Sequence, residues 1–222
     1  MMNFSNVFAE KRKLLIESML LSGAIKSSSV KKAFLSVNRE EFFPKDILEY
    51  SYADSAFSIG YNQTISQPST IAMMLELLAV EKNQNVLEIG AGSGYVLALL
   101  AEIVGKKGKV YGIDIVPELA MNARTTLAKL GYENIEIYHS DGTLGLKDFS
   151  PFDRILFSAA CPEIPKPVIN QLNKNGIIVA PVGKYQQWMH ILKKDSEGKI
   201  SGEVSDLGPF VFVPLKGKYG FD

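Results

Sequence analysis

From Asn85 onward the chain alternates short apolar runs with segments of helical spacing, and no other feature restricts its fold as much. "NVLEIG" ends in a glycine and leads into "SGYVLALLAEIVG", whose apolar residues recur at helical intervals. "KVYGIDI" reads as a second strand, and "VPELAMNARTTLAKLG" as a helix opened near Pro117 and closed by Gly131. "IEIYH" and "RILFSAA" supply a third and fourth strand, "PKPVINQL" a helix with prolines at its start, and "GIIVAPV" a fifth strand. "WMHILKKD" and "GPFVFVPL" follow with little helix between them. This order specifies an α/β fold: a doubly wound, mostly parallel seven-stranded sheet with helices on both faces and an antiparallel C-terminal edge.

The residues upstream follow a different pattern. Apolar positions from Val7 to Leu21 keep helical spacing, with Gly23 as a stop; "SSSVKKAFLSV" offers a Ser cap and a second short helix; Pro44 opens a third short segment. "QPSTIAMMLELLAV" reads as a helix with Pro68 near its first turn. Residues 1–79 are therefore expected to form an N-terminal helical extension and residues 80–222 a cofactor-binding core, within one domain spanning 1–222.

Lys plus Arg number 24 and so do Asp plus Glu, so overall charge gives no pull toward nucleic acid or an anionic membrane. Cys161 is the only cysteine, which excludes an internal disulfide framework and a cysteine-based zinc cluster and fits a reducing compartment, with the cytoplasm as the expected location. The opening "MMNFSNVFAEKRKLLIESML" sets its basic cluster after the first apolar residues and carries Glu10 and Glu17, unlike a secretory signal. No uncharged apolar run is long enough to cross a bilayer.

Open parallel sheets bind ligands beyond the C-terminal ends of their strands. Here the first strand ends in "LEIGAGSGY", with Gly90, Gly92 and Gly94 spaced G-x-G-x-G; the dinucleotide fingerprint needs a glycine where Tyr95 stands. Glu88 would repel a pyrophosphate, which argues against a nicotinamide cofactor. S-adenosylmethionine has no phosphate and carries a positive sulfonium and a positive amino group, so the same carboxylate suits it. Asp114 ends the second strand where an acidic residue hydrogen-bonds a ribose hydroxyl pair, and Asp141 after the third can accept from an adenine amino group. Each acid alone could be a helix cap or turn residue; together, at three consecutive strand ends, they favour a nucleoside site.

"VLEIGAGSGY", "GIDI" and "SDGTLG" resemble the class I S-adenosylmethionine-dependent methyltransferases, whose sheet is Rossmann-like. "IGYNQTISQP", with "NREEFFP", "YADSAFSIG", "AACPEIPKPVINQL", "GIIVAPVG" and "FVPL", resembles the protein-L-isoaspartate O-methyltransferases specifically, over nearly the whole chain. That family usually has a glycine directly before "QTIS"; here it is Asn62, which tolerates positive φ better than other non-glycine residues.

The resemblance implies a repair reaction in which a methyl group passes from S-adenosylmethionine to the α-carboxylate of an L-isoaspartyl residue, and by extension a D-aspartyl residue, leaving S-adenosylhomocysteine and needing no metal. Isoaspartyl-containing proteins and peptides would be the partners, with neither nucleic acid nor membrane. Glu88, Gly90, Ala91, Gly92, Gly94, Asp114, Ile115, Asp141 and Gly142 would surround the cofactor. Ser66 would hold and orient the substrate carboxylate with Thr64 beside it, while Ile65, Gln67 and Val213 would contact the substrate. A carboxylate is already ionised at neutral pH, so no general base is needed, and the scarcity of histidine (His139 and His190 alone) fits. Without the resemblance, Ser66 would be read as a cap for the helix at Pro68. Cys161 reads as a buried apolar filler, His139 as a structural or adenine-side residue, and Trp188 as packing in the late β-segment.

Three other readings are weighed. A relative that methylates aspartate in a dedicated peptide would need a recognition region that the sequence does not display. A nucleic-acid or amino-group methyltransferase would carry an Asn/Asp-Pro-Pro-aromatic loop where "SAACPEIP" stands. A non-catalytic nucleoside-binding module would lack "QTIS", which is intact.

Overall fold

A computed structural model describes residues 4–221. The N-terminal part contains α1 (Phe4–Leu21) and α2 (Ser28–Ser36), then an antiparallel hairpin of β1 (Phe57–Gly60) and β2 (Gln63–Ile65), and then α3 (Pro68–Leu78). The Ser27 hydroxyl caps α2 by accepting from the Val30 N–H at 3.2 Å. Glu76 of α3 accepts from the N–H groups of Lys26 and Ser27, so the start of α2 is tied to α3.

The hairpin is a difference from the purely helical extension expected. Its two-residue turn places Tyr61 at φ +54 and Asn62 at φ +56. Both central residues of the favoured hairpin turn need positive φ, and Asn is among the residues that accept it. Asn62 is exposed, at the tip of this turn.

The core runs β3 (Asn85–Ile89), α4 (Tyr95–Val104), β4 (Lys109–Asp114), α5 (Pro117–Lys129), β5 (Ile135–His139), β6 (Phe152–Phe157), α6 (Lys166–Ile169), β7 (Leu172–Val182), β8 (Trp188–Lys194) and β9 (Ile200–Val204). The sheet order is β5-β4-β3-β6-β7-β8-β9. The first five strands in that order are parallel, and β8 and β9 are antiparallel. Strand order reverses between β3 and β6, so the crevice for a ligand lies beyond their C-terminal ends.

The seventh strand is not where the sequence placed it. "GPFVFVPL" touches the sheet only through isolated bridges, Phe210 to Gln187 and Pro214 to Ala160, while Ile200–Val204 pairs with β8 as the edge strand. A turn at Asp195–Lys199 folds the chain straight back onto β8, so the nearer segment takes the edge. The helix read from "PKPVINQL" is only four residues, Lys166–Ile169, because the chain must enter β7 at Leu172.

Alternation along β3 sends Val86 to one face and Leu87 and Ile89 to the other. The Val86 face is covered by residues of α1 to α5 in one continuous apolar cluster, and Glu88 shares that face by the two-residue repeat. The second face is covered by thinner elements, including Phe149, Ile164, Val168 and Leu215. Trp188, expected to pack in the late β-segment, is exposed at the start of β8. Among the described residues, no helix is long and apolar enough to cross a membrane.

One charged side chain is sealed inside this packing. Arg39 is fully buried; its Nε donates to the Ser51 carbonyl at 2.9 Å and its Nη2 to the Ser66 carbonyl at 2.8 Å. The guanidinium lies 4.7 Å from the Tyr95 ring centroid and 5.1 Å from that of Phe43, so ring faces and carbonyl dipoles replace its water. Among the described residues it makes no ion pair, and burial lowers its pKa. Replacement Arg39→Ala strands two carbonyls and opens a cavity, and is expected to cost about 3 kcal/mol, read as a lower midpoint in urea unfolding.

Candidate active site

Beyond the ends of β3 and β4 the chain turns through Gly90, Ala91, Gly92 and Gly94, and Asp114 braces that turn. Gly92 has φ +53, a region that favours glycine, and donates its N–H to Asp114 Oδ2 at 2.7 Å. The Val116 N–H donates to Asp114 Oδ1 at 2.9 Å, so one carboxylate fixes both the glycine turn and the entry to α5. Burial raises the Asp114 pKa against these same backbone donors. The N–H groups of Gly90 and Ala91 both bond the Ile113 carbonyl, at 2.8 and 2.9 Å, pinning the turn to β4.

Glu88 is buried, and its Oε1 accepts from the Ser158 hydroxyl at 2.6 Å across the point where strand order reverses. Its Oε2 is buried with no hydrogen-bond partner among the described residues. Such an orphaned oxygen is costly unless a donor or cation arrives to meet it.

Gly90, Asp114, Ile115 and Gly142 come together around a small cavity of about 40 Å³, with Gln63 of the hairpin and Lys216 of the C-terminal segment on its other sides. At Gly142 an added Cβ would stand 2.6 Å from Ile89 Cγ2, so only glycine permits this close approach. A small-molecule site is typically at least about 300 Å³, so this cavity is smaller than a nucleoside needs.

Asp141 does not line that cavity. Its Oδ1 accepts from the Thr143 N–H and hydroxyl, and its Oδ2 from the Lys218 N–H at 2.8 Å, which anchors the C-terminal segment. Burial opposes its ionisation, but these donors together outweigh burial and hold the carboxyl below its ordinary value.

A second cleft, about 230 Å³, opens beside the first. Thr64, Ser66 and Gln67 form one side, Ser158 sits at its lining, and the segment Pro209–Val213 forms the opposing wall. Ile65 alternates inward and is buried in the apolar core, so it offers the cleft main chain rather than side chain. Ser66 is not the cap of α3. Gln67 occupies the cap position without a side-chain bond, and Asp54 takes the Ser69 N–H at 2.9 Å while also holding the Gln67 amide at 3.1 Å. The capping role falls to a remote carboxylate, and the serine is left at the cleft.

Other candidates lie apart from both cavities. Cys161 is fully buried with its thiol pushed up to about 12 by desolvation, which keeps it an inert apolar filler. His139 ends β5 opposite Asp114, and His190 sits on β8, where burial lowers its pKa. Among the described residues no group of three His, Cys, Asp or Glu could hold a metal ion.

Four residues at or behind these cavities were not singled out in the sequence: Arg39, Gln63, Ser158 and Lys216; Pro214 and Leu215 lie in "FVPL", which the resemblance already included. Ser158 was within reach, because "FSAA" places a polar residue at the end of the strand next to β3, where the strand-end rule looks for ligands. Arg39 in "NREEFFP" has the look of a surface charge, and its burial depends on contacts distant in sequence.

Residues 10–220 match the family described as protein-L-isoaspartate(D-aspartate) O-methyltransferase. The chain is similar to the protein-L-isoaspartate O-methyltransferase of Methanococcoides burtonii, with 45% identity over 192 residues, covering 86% of this chain and 94% of that relative. The enzyme of the same description from Methanococcus aeolicus is 42% identical over 212 residues, 96% of this chain and 97% of the relative. Among solved structures, a protein-L-isoaspartate O-methyltransferase superposes with TM-score 0.84 and 30% identity, over 94% of this chain and 67% of that one. A Plasmodium falciparum protein whose structure is described as a putative member of the same enzyme class, in complex with S-adenosyl-L-homocysteine, gives TM-score 0.81 and 25% identity, over 92% and 98% of the two chains.

Burial pushes the Glu88 carboxyl from its usual 4.5 up to about 8, against the opposing Ser158 hydrogen bond and with the Asp114 charge adding to the rise. The side chain therefore carries its proton at neutral pH. A carboxyl with a raised folded-state pKa binds more protons folded than unfolded, so its contribution is complete below pH 4.5 and is lost as pH climbs to about 8. Thermal melts of the ligand-free protein should fall across that window, and Glu88→Gln should flatten the slope. An unchanged slope in the variant would refute the assignment.

Proposed function

The chain belongs to the protein-L-isoaspartate(D-aspartate) O-methyltransferase family, and from that premise we propose which residues carry the reaction. The enzyme transfers a methyl group to the α-carboxylate of L-isoaspartyl residues in damaged proteins, using S-adenosylmethionine. Its working unit is a single domain, in which residues 1–79 carry the substrate cradle and 80–222 the cofactor core. It acts in the cytoplasm on protein and peptide substrates, and its balanced charge gives a polyanionic partner no hold.

The observation that carries this reading is the adjacency of the two cavities. Gln63 lines the small cavity at the glycine turn, while Thr64 and Ser66, one and three residues on, line the cleft. Ser158 belongs to the cleft and bonds Glu88 beside the glycine turn.

S-adenosylmethionine fits the residues present: the unpartnered Glu88 Oε2 suits a cationic amino group, and the glycine turn with Asp114 and Ile115 suits a nucleoside. When bound it supplies a methyl group on a positive sulfonium. Gly90, Ala91, Gly92 and Gly94 form the turn that would border the cofactor, Gly94 and Gly142 leave no room for a side chain, and Asp141 steadies the segment that closes over the site. Glu88 releases its proton on meeting a cation, which converts a neutral acid into a counter-charge.

On the substrate side, the Ser66 hydroxyl holds and orients the carboxylate, with Thr64 beside it. Gln67 and Val213 border the same cleft, and Ile65 contributes main chain. A carboxylate oxygen forms the new bond to the methyl carbon as the carbon–sulfur bond breaks, and the sulfur keeps the electron pair. No proton moves in this step, so no general base is required. The residues act by alignment and by excluding water, where an error of about 1 Å can cost about a hundredfold in rate. The neighbouring backbone amide nitrogen then attacks the ester carbonyl, and the ring closes to a succinimide as the methoxy group leaves with the amide proton as methanol.

Two peptides differing only in isoaspartate or aspartate at one position test the reading, with labelled S-adenosylmethionine and counting of the volatile methanol that the peptide ester releases. Label on the isoaspartyl peptide alone supports repair; label on the aspartyl peptide moves the assignment to a dedicated-substrate enzyme. Ser66→Ala should lower methyl transfer by about a hundredfold and leave S-adenosylhomocysteine affinity nearly intact. Asp114→Ala, which frees the glycine turn, should weaken that affinity first. Loss of cofactor binding in Ser66→Ala would overturn its role.

A further inference from the structure

The wall of the cleft opposite Ser66 is a stretch of chain that belongs to no sheet, and one side chain holds it straight. Gln187 lies directly before β8 and is only 5% exposed. Its carbonyl accepts the Phe210 N–H at 2.8 Å. Its side-chain Oε1 accepts the Phe212 N–H, and its Nε2 donates to the Phe212 carbonyl at 3.1 Å. A primary amide offers one acceptor and two donors, so it can occupy both main-chain groups of a single residue as a neighbouring strand would. Between the two anchored residues Val211 is 92% exposed and lines the cleft.

We propose that Gln187 is a positioning residue for the substrate: its amide holds Pro209–Val213 extended, so that the wall running into "FVPL", which the family resemblance already sets against the substrate peptide, keeps its shape. This rests on the repair reading above and deepens it. Recognition through main-chain groups is indifferent to side chains, which suits an enzyme whose damaged residues occur in unrelated sequences. The cofactor side is anchored separately. The Ala160 N–H donates to the Val213 carbonyl at 2.9 Å, Leu215 N–H to the Ala160 carbonyl at 2.7 Å, and Lys218 N–H to Asp141. Loosening the Gln187 clamp thus frees the wall and spares the cofactor cavity.

Two variants test this in the full chain. Gln187→Glu keeps the acceptor and loses the donor, and Gln187→Met fills the volume with neither. Gln187→Glu should raise KM for an isoaspartyl peptide roughly tenfold, the equivalent of one lost hydrogen bond, and Gln187→Met, which loses two, by more. Their kcat and S-adenosylhomocysteine affinity should stay within about twofold of the parent. Hydrogen exchange at Phe212, followed with S-adenosylhomocysteine bound, should accelerate in Gln187→Met, which removes the acceptor of its N–H, while exchange in α3 does not. Unchanged KM overturns the proposal, and so does a parallel rise in KM and in the cofactor dissociation constant, which would mark a general structural role. An inactive parent protein would instead refute the repair reading on which the proposal stands.

Discussion

A buried guanidinium that makes no ion pair among the described residues holds the two halves of this structure together. Arg39 comes from a turn between α2 and the hairpin, yet it touches Ser51, the Ser66 carbonyl and the ring of Tyr95. Tyr95 is the first residue of α4, directly after the last glycine of the turn. The cradle serine and the cofactor turn are thereby referred to one buried cation. Taking such a charge out of water is expensive, and only an environment of fixed carbonyls and ring faces offsets it. The same cost makes the arrangement rigid, because any displacement of Ser66 would strip a hydrogen bond from a buried charge.

That rigidity matches the chemistry. Carboxyl methylation begins with a nucleophile already ionised at neutral pH, so acid–base machinery is unnecessary and alignment supplies the rate. The polar groups around the cleft are accordingly hydroxyls, amides and main chain, with Thr64, Ser66, Gln67 and Ser158 at the lining. The one strongly perturbed acid, Glu88, lies on the glycine-turn side, and its bond to Ser158 spans the reversal in strand order. The residues proposed for the cofactor and those proposed for the substrate therefore meet at the crevice that the sheet topology creates.

Much of this was readable one residue at a time. The strand ends at Glu88, Asp114 and Asp141 could be placed because period-two burial and glycine punctuation are local signals. Asp114 and Gly142 did converge on one cavity, whereas Asp141 turned its carboxylate to Thr143 and the C-terminal segment. No local pattern distinguishes those two outcomes, since both residues are acids at strand ends. The edge strand went astray for a related reason. "GPFVFVPL" has stronger strand composition than Ile200–Val204, but a tight turn at Asp195–Lys199 gave the shorter segment the edge.

The sequence by itself determined the α/β alternation, the glycine turn, the position of the cradle between two helices and the family to which the chain belongs. These follow from spacing and residue type, which are properties of neighbouring positions. Only the tertiary structure decided that Arg39 is interior, that Asp54 caps α3 in place of Ser66, that Glu88 keeps an unpartnered oxygen, and that Gln187 takes the place of a strand. Each of these depends on a polar group meeting, or failing to meet, a partner far away in the chain. The free energy of a buried polar atom is set by that encounter, and residue identity alone does not contain it.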